Sequence, residues 1–303
     1  MRRGEGLRHM VARCNEFAWH QVACKVVTDE LILLSPLRYP GGKTWLREAV
    51  LRWLRSLPQR RELFIEPFAG GASVGLAVAN AQVVERVILA ELDPEVATLW
   101  KVIFGGAWRK LTDRIDSFIV LRADVRHLLA SQSSDIIETA FRCLLRNRLQ
   151  HGGVMAPGAN LLKNGEGNRG LASRWYPATL IDRITKLQSL RPVVEVIEGN
   201  GLDLLTRFAD DATAVFFVDP PYQANGIGPG RRLYRYADID HKAVFSHLAD
   251  VRGDFLLCYH DCSDIRELVR SHGFRFRSVA MRTTHHENRR ELIISKSNLR
   301  AIH

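Results

Sequence analysis

The sequence predicts an α/β protein with a mostly parallel sheet, an antiparallel last strand and an inserted, mainly helical domain. Three observations lead to this prediction. Short apolar runs rich in Val, Ile and Phe alternate with segments of helical periodicity. The alternation stops between residues 105 and 191 and then resumes. The last two strand-like runs have a short connection, which is typical of antiparallel neighbours.

The first half of the α/β pattern begins near Ser35. Its predicted elements are a helix at 44–56, a strand at 62–66, a helix at 73–81 and a strand at 86–92. After the second strand, Asp93 is suited to cap, and Pro94 to open, a further helix that ends near Phe104. Together these segments predict one βαβ unit.

The second half follows a long polar loop. Within 105–191, helical pieces surround "HGGVMAPGANLLKNGEGNRGLASRWYP", where the glycines and prolines exclude regular structure. Loops of this length in compact proteins are usually functional or disordered. The elements expected afterwards are strands at 193–198, 214–218 and 254–259, helices near 240–250 and at 263–271, and final strands at 274–282 and 291–296. We therefore divide the chain into an N-terminal arm (1–34), an α/β domain (35–104 and 192–303) and an inserted domain (105–191).

The composition points to a polyanionic partner. The chain has 43 Lys and Arg against 33 Asp and Glu, a net charge of +10, and only eight of the 43 are Lys. Arginine binds phosphate bidentately and reads guanine, although a high arginine content also follows from a GC-rich genome. No apolar run reaches the length of a membrane span, and the basic start lacks an apolar signal core. The five cysteines form no C-x-x-C pair, so we expect a cytoplasmic protein without membrane association or a bound metal.

The turn after the first strand, "EPFAGGASVG" (66–75), is rich in glycine. Glycines there let the backbone approach a ligand beside the positive end of the next helix, although a tight turn alone would also explain them. The turn departs from G-x-G-x-x-G, which disfavours a pyrophosphate dinucleotide. Glu91 ends the second strand about 20 residues later, where an acid hydrogen-bonds ribose hydroxyls. Unless Glu91 is a surface acid, the two features favour an adenosine-containing cofactor.

A second candidate site follows the run "VFFV", which ends in "DPPY" (219–222). Pro220 and Pro221 fix their own φ and push the preceding residue toward extended geometry, so the strand stops in a stiff turn. Asp219 and Tyr222 then lie at a strand's carboxyl end, where open α/β sheets bind ligands. The ring can stack on a flat base, while the carboxylate and the proline carbonyl accept the hydrogens of its amino group. A strand-ending turn with a core tyrosine is the plainer reading, but it leaves the acid unused.

Four motifs carry a family resemblance. They are "LRYPGGK" (37–43), "FIEPFAGGASV" (64–74), "ILAELD" (88–93) and "DPPY" (219–222). In this order they resemble the Dam-like class of adenine-specific DNA methyltransferases, over about Pro36 to Lys296. The resemblance implies a Rossmann-like methyltransferase fold, with S-adenosylmethionine as methyl donor and S-adenosylhomocysteine as product. It also implies transfer to the exocyclic amine of adenine in double-stranded DNA, with the base flipped out of the helix.

The resemblance assigns roles to individual residues. The residues expected to bind the cofactor are Tyr39, Lys43, Phe68, Gly70, Glu91 and Asp219, and those expected to hold the target base are Asp219, Pro220 and Tyr222. Two mild departures exist. Ala72 replaces the last glycine of the family's F-x-G-x-G, and Glu91 stands where the family usually has Asp.

The inserted domain only partly resembles the Dam recognition domain, so no target sequence is assigned. The residues expected to contact DNA are Arg146, Arg148, Lys163, Arg169 and Arg174. Each is equally readable as part of a solvated basic loop. The segment "GPGRRLYRYADIDH" (228–241) is expected to act as a lid over the flipped base.

Other readings stay open from sequence alone. A cytosine-amine methyltransferase would use the same geometry, and an RNA or protein amide methyltransferase is a further alternative. A methylase-fold protein that binds DNA without catalysis would be expected to have lost an acid or proline of "DPPY", which is intact. A restriction endonuclease partner and the oligomeric state are not decided by the sequence.

Overall fold

The structure, a computed structural model, describes residues 34–39, 41–156, 159–222, 235–236, 239–282 and 288–302. The expected N-terminal arm lies outside the described residues apart from Leu34, as does most of the expected lid. The chain from Leu33 to His303 forms one compact unit. The limits of an inserted domain within that unit stay a prediction.

Helices and strands alternate as expected. The α-helices are α1 (Arg47–Ser56), α2 (Ser73–Asn80), α3 (Pro94–Phe104), α4 (Trp108–Asp116), α5 (Arg122–Ala130), α6 (Ile136–Leu149), α7 (Pro177–Lys186), α8 (Gly201–Arg207), α9 (His241–Asp250) and α10 (Ser263–Ser271). The strands are β1 (Leu63–Glu66), β2 (Arg86–Glu91), β3 (Val194–Glu198), β4 (Ala214–Val218), β5 (Asp254–His260), β6 (Arg275–Arg282) and β7 (Asn288–Ser295). In the part of the chain that the structure describes, no helix combines the length and apolar character needed to cross a membrane.

One seven-stranded sheet holds the fold together, in the order β3-β2-β1-β4-β5-β7-β6. The first five strands in this order, β3, β2, β1, β4 and β5, run parallel to one another. Strand β7 pairs antiparallel with both β5 and β6. The central strands β1 and β4 are buried along their whole length, which explains why their sequences are continuous apolar runs. The mostly parallel, Rossmann-like sheet with an antiparallel last strand is therefore confirmed.

Local capping signals set the helix starts. The side chain of Asp93 accepts a hydrogen bond from the backbone N–H of Glu95 at 2.9 Å, and Pro94 is the first residue of α3, as expected. Helix α8 was not among the expected elements, although Asn200 caps it by accepting from Leu202 N at 3.1 Å. The prediction of no regular structure in the long loop is wrong in detail. Three short 3-10 helices occur there, at His151–Gly153, Glu166–Asn168 and Leu171–Arg174, because glycines with positive φ permit tight single turns.

Among the helices between β2 and β3, α3 packs on the sheet. The later helices pack on α3, chiefly through α6. Phe118, Phe141 and Trp175 form a cluster of edge-to-face rings with centroids 5.1 to 5.9 Å apart. Aromatic pairs in this arrangement gain stability beyond simple burial. The segment between β2 and β3 therefore has an aromatic cluster of its own and also rests on the α/β layer.

Candidate active site

The carboxyl ends of β1, β2 and β4 lie side by side at one edge of the sheet. β1 pairs in parallel with β2 on one side and with β4 on the other. The strand order reverses direction between β1 and β4, and open α/β sheets bind ligands at such a switch point. The glycine-rich turn after β1, the acid ending β2 and the "DPPY" segment after β4 are therefore brought to one site.

The glycine-rich turn lies directly against the ring of Tyr39. Gly70 has a φ of +46°, and a Cβ there would lie 2.7 Å from that ring. The indole of Trp100 donates to the Gly70 carbonyl at 2.9 Å and fixes the turn from α3. Ala72 has a φ of 51°, a left-handed conformation that a glycine adopts without strain and that costs alanine about 1–2 kcal/mol. Phe68 packs partly buried against the core of the sheet.

Glu91 is buried behind this turn. Its Oε2 accepts from Gly70 N at 2.8 Å and its Oε1 from Asp93 N at 2.9 Å. Burial raises the pKa of Glu91 to about 7, although these N–H groups favour the charged form. Each carboxylate oxygen has a second lone pair, so ribose hydroxyls still find acceptors here. Leu92 beside it is 43% exposed and offers apolar surface next to the acid.

Lys43 and Asp219 form a buried ion pair at the centre of the site. The ammonium Nζ lies 2.8 and 2.9 Å from the two carboxylate oxygens and donates to the Gly41 carbonyl at 2.9 Å. Burial opposes the charge on Lys43, but Asp219 and its acidic neighbours outweigh that effect and hold the lysine pKa well above its usual value. Burial likewise raises the pKa of Asp219 to about 6, with the nearby lysine acting in the opposite direction. The first and last motifs, far apart in sequence, thus meet through one ion pair.

Tyr222 is anchored by its hydroxyl as well as by its ring. The hydroxyl accepts from Lys43 Nζ at 3.3 Å and donates to Glu291 Oε1 at 3.0 Å. Its ring centroid lies 5.3 Å from that of Tyr259, and the preceding Pro220–Pro221 turn is partly buried. Burial raises the pKa of Tyr222 well above its usual value, so the hydroxyl stays a donor at neutral pH.

Helix α6 holds the backbone at the start of the first motif (37–43) in place. Asn147 accepts from Arg38 N at 2.7 Å and donates to Arg38 O at 3.0 Å. The next residue on the helix, Arg148, donates to the carbonyl of Pro36. Because Tyr39 follows directly, α6 positions the ring that covers the glycine-rich turn.

The five residues expected to contact DNA divide into two groups. Arg148 is 4% exposed, and its guanidinium donates a hydrogen bond to a backbone carbonyl. Arg146 pairs with Glu95 on α3. For these two the structure does not support a DNA contact, because their positions on α6 face the rest of the protein. Lys163 and Arg169 are exposed and Arg174 pairs with Glu166, so DNA contact stays a prediction for these three.

Two residues of the site were missed by sequence reasoning. Glu291 on β7 contacts the central ion pair, and its signal was an acid placed before the apolar run "LIIS". Arg235 lies 3.5 Å from Asp93 and 3.4 Å from Glu95, which connects the segment after "DPPY" to the start of α3. No local pattern distinguished this arginine from its neighbours.

The side chains present fit an adenosine ligand that carries a positive charge. A glycine turn approached closely by a ring, a buried acid with spare lone pairs and an exposed leucine suit a nucleoside. Lys43, Asp219 and Glu291 together bring one positive and two negative groups, so the cluster complements a cation. The same carboxylates are hydrogen-bond acceptors for an amino group.

The sequence matches a known protein family, and similar proteins occur among characterised sequences and solved structures. Residues 39–285 match the family described as D12 class N6 adenine-specific DNA methyltransferase. The type II methyltransferase M.CviBI of Paramecium bursaria Chlorella virus NC1A is 24% identical over 188 residues, which cover 62% of this chain and 68% of the viral protein. Among solved structures, precorrin-6y C5,15-methyltransferase from Geobacter metallireducens GS-15 aligns with a TM-score of 0.36 at 10% identity, over 82% of this chain and 86% of that one.

Proposed function

The chain belongs to the D12 class N6 adenine-specific DNA methyltransferase family, and on this premise we propose which residues carry the reaction and how. The enzyme transfers a methyl group from S-adenosylmethionine to the exocyclic amine of adenine in DNA. The observation that carries the proposal is the buried cluster in which Lys43 joins Asp219 and Tyr222, one strand away from the glycine-rich turn.

We assign cofactor binding to the groups around β1 and β2. Glu91 accepts the ribose hydroxyls with its remaining lone pairs, and the Tyr39 ring and the Gly70 backbone form the wall of the pocket. Lys43 holds Asp219 and Tyr222 in place and sets the charge of the cluster. When bound, S-adenosylmethionine supplies a methyl group on an electron-poor sulfonium, so no metal is needed to activate the donor.

Asp219 and Tyr222 are assigned to the target base. The base is out of reach inside a duplex, so it must flip out, and the Tyr222 ring replaces the stacking that is lost. Asp219 and the carbonyl of Pro220 accept the two amine hydrogens and favour a pyramidal nitrogen in line with the methyl group. The amine becomes cationic as its N–C bond forms and the bond between the methyl group and the sulfonium sulfur breaks, and we assign the Asp219 carboxylate to take the released proton.

DNA binding is proposed for the exposed basic residues Lys163 and Arg169 and for Arg174, which a phosphate would draw from Glu166. We further propose that the enzyme acts in the cytoplasm, where such a substrate is accessible. Because the viral relative is a type II methyltransferase, we propose a restriction endonuclease as the partner to look for.

The experiment that tests this proposal is an in vitro reaction analysed by nucleoside mass spectrometry. Purified protein, S-adenosylmethionine and DNA from a methylation-deficient host are incubated, and the DNA is digested to nucleosides. We expect N6-methyldeoxyadenosine. N4-methyldeoxycytidine instead would assign the enzyme to the cytosine-amine alternative, and no methylated nucleoside from folded protein would contradict the proposal.

A further inference from the structure

Glu291 belongs to none of the four sequence motifs but lies in the centre of the site. It is the fourth residue of β7, the strand inserted antiparallel between β5 and β6. Its side chain is only 6% exposed. A carboxylate buried this deeply in a sheet is expensive unless it is paired or used.

The contacts of Glu291 are unevenly divided between its two oxygens. Oε1 accepts from the Tyr222 hydroxyl at 3.0 Å and lies 3.5 Å from Lys43 Nζ. Oε2 is buried and has no hydrogen-bond partner among the described residues. This acid therefore keeps one oxygen without a hydrogen-bond partner, while its other oxygen lies near the lysine.

Lys43 consequently stands between two carboxylates. Its Nζ is 2.8 Å from the nearer oxygen of Asp219 and 3.5 Å from Glu291. A small movement of the lysine chain would make the second pair as close as the first. Since the lysine side chain is 3% exposed, water cannot readily take the place of either acid.

The proposed reaction sets a requirement that this arrangement meets. Asp219 must accept a hydrogen of the target amine, and its Oδ1 has no hydrogen-bond partner among the described residues. Both of its oxygens nevertheless lie within 2.9 Å of the ammonium group of Lys43. A carboxylate neutralised by an ammonium group is a weaker acceptor than a free one. If the lysine had no second partner, weakening its pair with Asp219 would leave a buried charge uncompensated.

We propose that Glu291 is a positioning residue that takes over Lys43 when Asp219 engages the target amine, while it holds the Tyr222 hydroxyl throughout. This inference rests on the proposed function. It assigns the free Oε2 as the second acceptor for the lysine. It also explains why the cluster contains two carboxylates, Asp219 and Glu291, for the single lysine Lys43. The excess negative charge is needed when the target amine becomes cationic.

The pH dependence of methyl transfer distinguishes this role from a purely structural one. The titratable groups that face Asp219 in the described part of the chain are Lys43, Glu66, Tyr222, Cys258, Tyr259 and Glu291. Burial is the largest cause of the raised pKa of Asp219. Lys43 lowers that pKa, and the charge of Glu291 raises it further. Removing the charge of Glu291 must therefore lower the pH at which Asp219 becomes ionised.

The test uses Glu291→Gln, Glu291→Asp and a matched control, Glu195→Gln. Glu195 is an exposed carboxylate on β3 that pairs with Arg86 at 2.8 Å, so its loss removes one charge from the same sheet outside the site. Single-turnover methylation is measured from pH 5 to 8 with saturating S-adenosylmethionine and a duplex that carries the mapped target. Thermal melting shows whether each variant is folded.

We expect Glu291→Gln to be about ten- to a hundredfold slower at its optimum, the loss expected when a charged hydrogen-bond partner is removed. Its acidic limb should move to lower pH. Glu291→Asp keeps the charge but shortens the reach, so its rate should fall while its acidic limb stays at the wild-type pH. Glu195→Gln should match the wild type in both respects.

A folded Glu291→Gln enzyme with the wild-type rate, or with a reduced rate but an unmoved acidic limb, would overturn the inference. If the glutamine variant does not fold, the aspartate variant decides the question, and a wild-type rate for it would be equally decisive. An inactive wild-type protein would instead overturn the proposed function, which separates the two failures.

Discussion

Asp219→Asn is the substitution that best separates chemistry from folding in this site. The change keeps the shape of the side chain but replaces one acceptor oxygen by a donor NH2 group. That group would face Lys43 Nζ, now 2.8 to 2.9 Å from the two oxygens, or the incoming amine, and both of these are donors. Lys43 keeps Glu291 as a counter-ion, so the substitution does not leave the lysine without a charged neighbour.

The expected loss in rate follows from one oriented hydrogen bond. Removing a single such group from a site that stabilises developing charge typically slows the reaction by about a hundredfold or more, or about 2.7 kcal/mol. We therefore expect Asp219→Asn to slow methyl transfer at least about a hundredfold, with little change in the affinity for DNA.

Stability should change in the opposite direction. Burial raises the pKa of Asp219 from 3.8 to about 6, so the folded protein binds this proton more tightly than the unfolded chain does. The tighter proton binding stabilises the folded state fully below pH 3.8, and this contribution to the free energy of unfolding is lost as the pH rises to about 6. At pH 7.5 the lost contribution amounts to about 3 kcal/mol as an upper estimate. The asparagine variant should accordingly melt at the wild-type temperature or above it at pH 7.5, with a smaller advantage at pH 5.

The assay is single-turnover methylation with saturating S-adenosylmethionine and target duplex, followed by rapid quenching. Saturation removes differences in binding, so the measured rate reports the chemical step. A folded Asp219→Asn enzyme that methylates at nearly the wild-type rate would refute the role assigned to this carboxylate.

Further predictions concern the neighbouring groups. Burial raises the pKa of Glu91 to about 7, and we expect its ionised form to bind the ribose hydroxyls. S-adenosylmethionine should therefore bind more tightly as the pH rises from 6 to 8, and calorimetry should detect proton release on binding. Glu91→Ala should abolish both effects. Tyr222→Ala should weaken capture of the flipped base by about 1–3 kcal/mol, measured as the enzyme's affinity for a duplex with a mismatched target base, whereas unchanged affinity would remove the stacking role. Asn147→Ala should weaken cofactor binding in calorimetry because the segment carrying the first motif loses two hydrogen bonds, and an unchanged dissociation constant would show that α6 does not position it. Lys163→Glu combined with Arg169→Glu should weaken DNA binding, flatten its dependence on salt and leave cofactor binding intact; an unaltered salt slope would move the DNA contact elsewhere.

The sequence was most informative where the physical signal is local. The cap at Asp93, the proline that opens α3 and the apolar run of β4 each depend on a few adjacent residues, and each appears as expected. The meeting of the motifs at one site also followed from the rule that ligands bind at the carboxyl ends of parallel strands.

The sequence was least informative where burial depends on distant partners. Arg148 looked like a surface arginine, but α6 is buried around most of its circumference, so its polar positions could not be read from a helical stripe. Glu291 contacts Lys43 and Tyr222 on two other segments, and β7 joins the sheet between two strands that precede it in the chain. Only the assembled sheet brings these residues together.

The most direct test of the central claim is single-molecule sequencing of DNA from a methylation-deficient bacterial host that expresses this chain. A matched culture expressing Asp219→Asn provides the control. We predict N6-methyladenine at one short recognition sequence throughout the genome in the wild-type culture, and little or none in the control. Modified cytosine at a defined sequence, no modified base, or equal adenine methylation in both cultures would contradict the account.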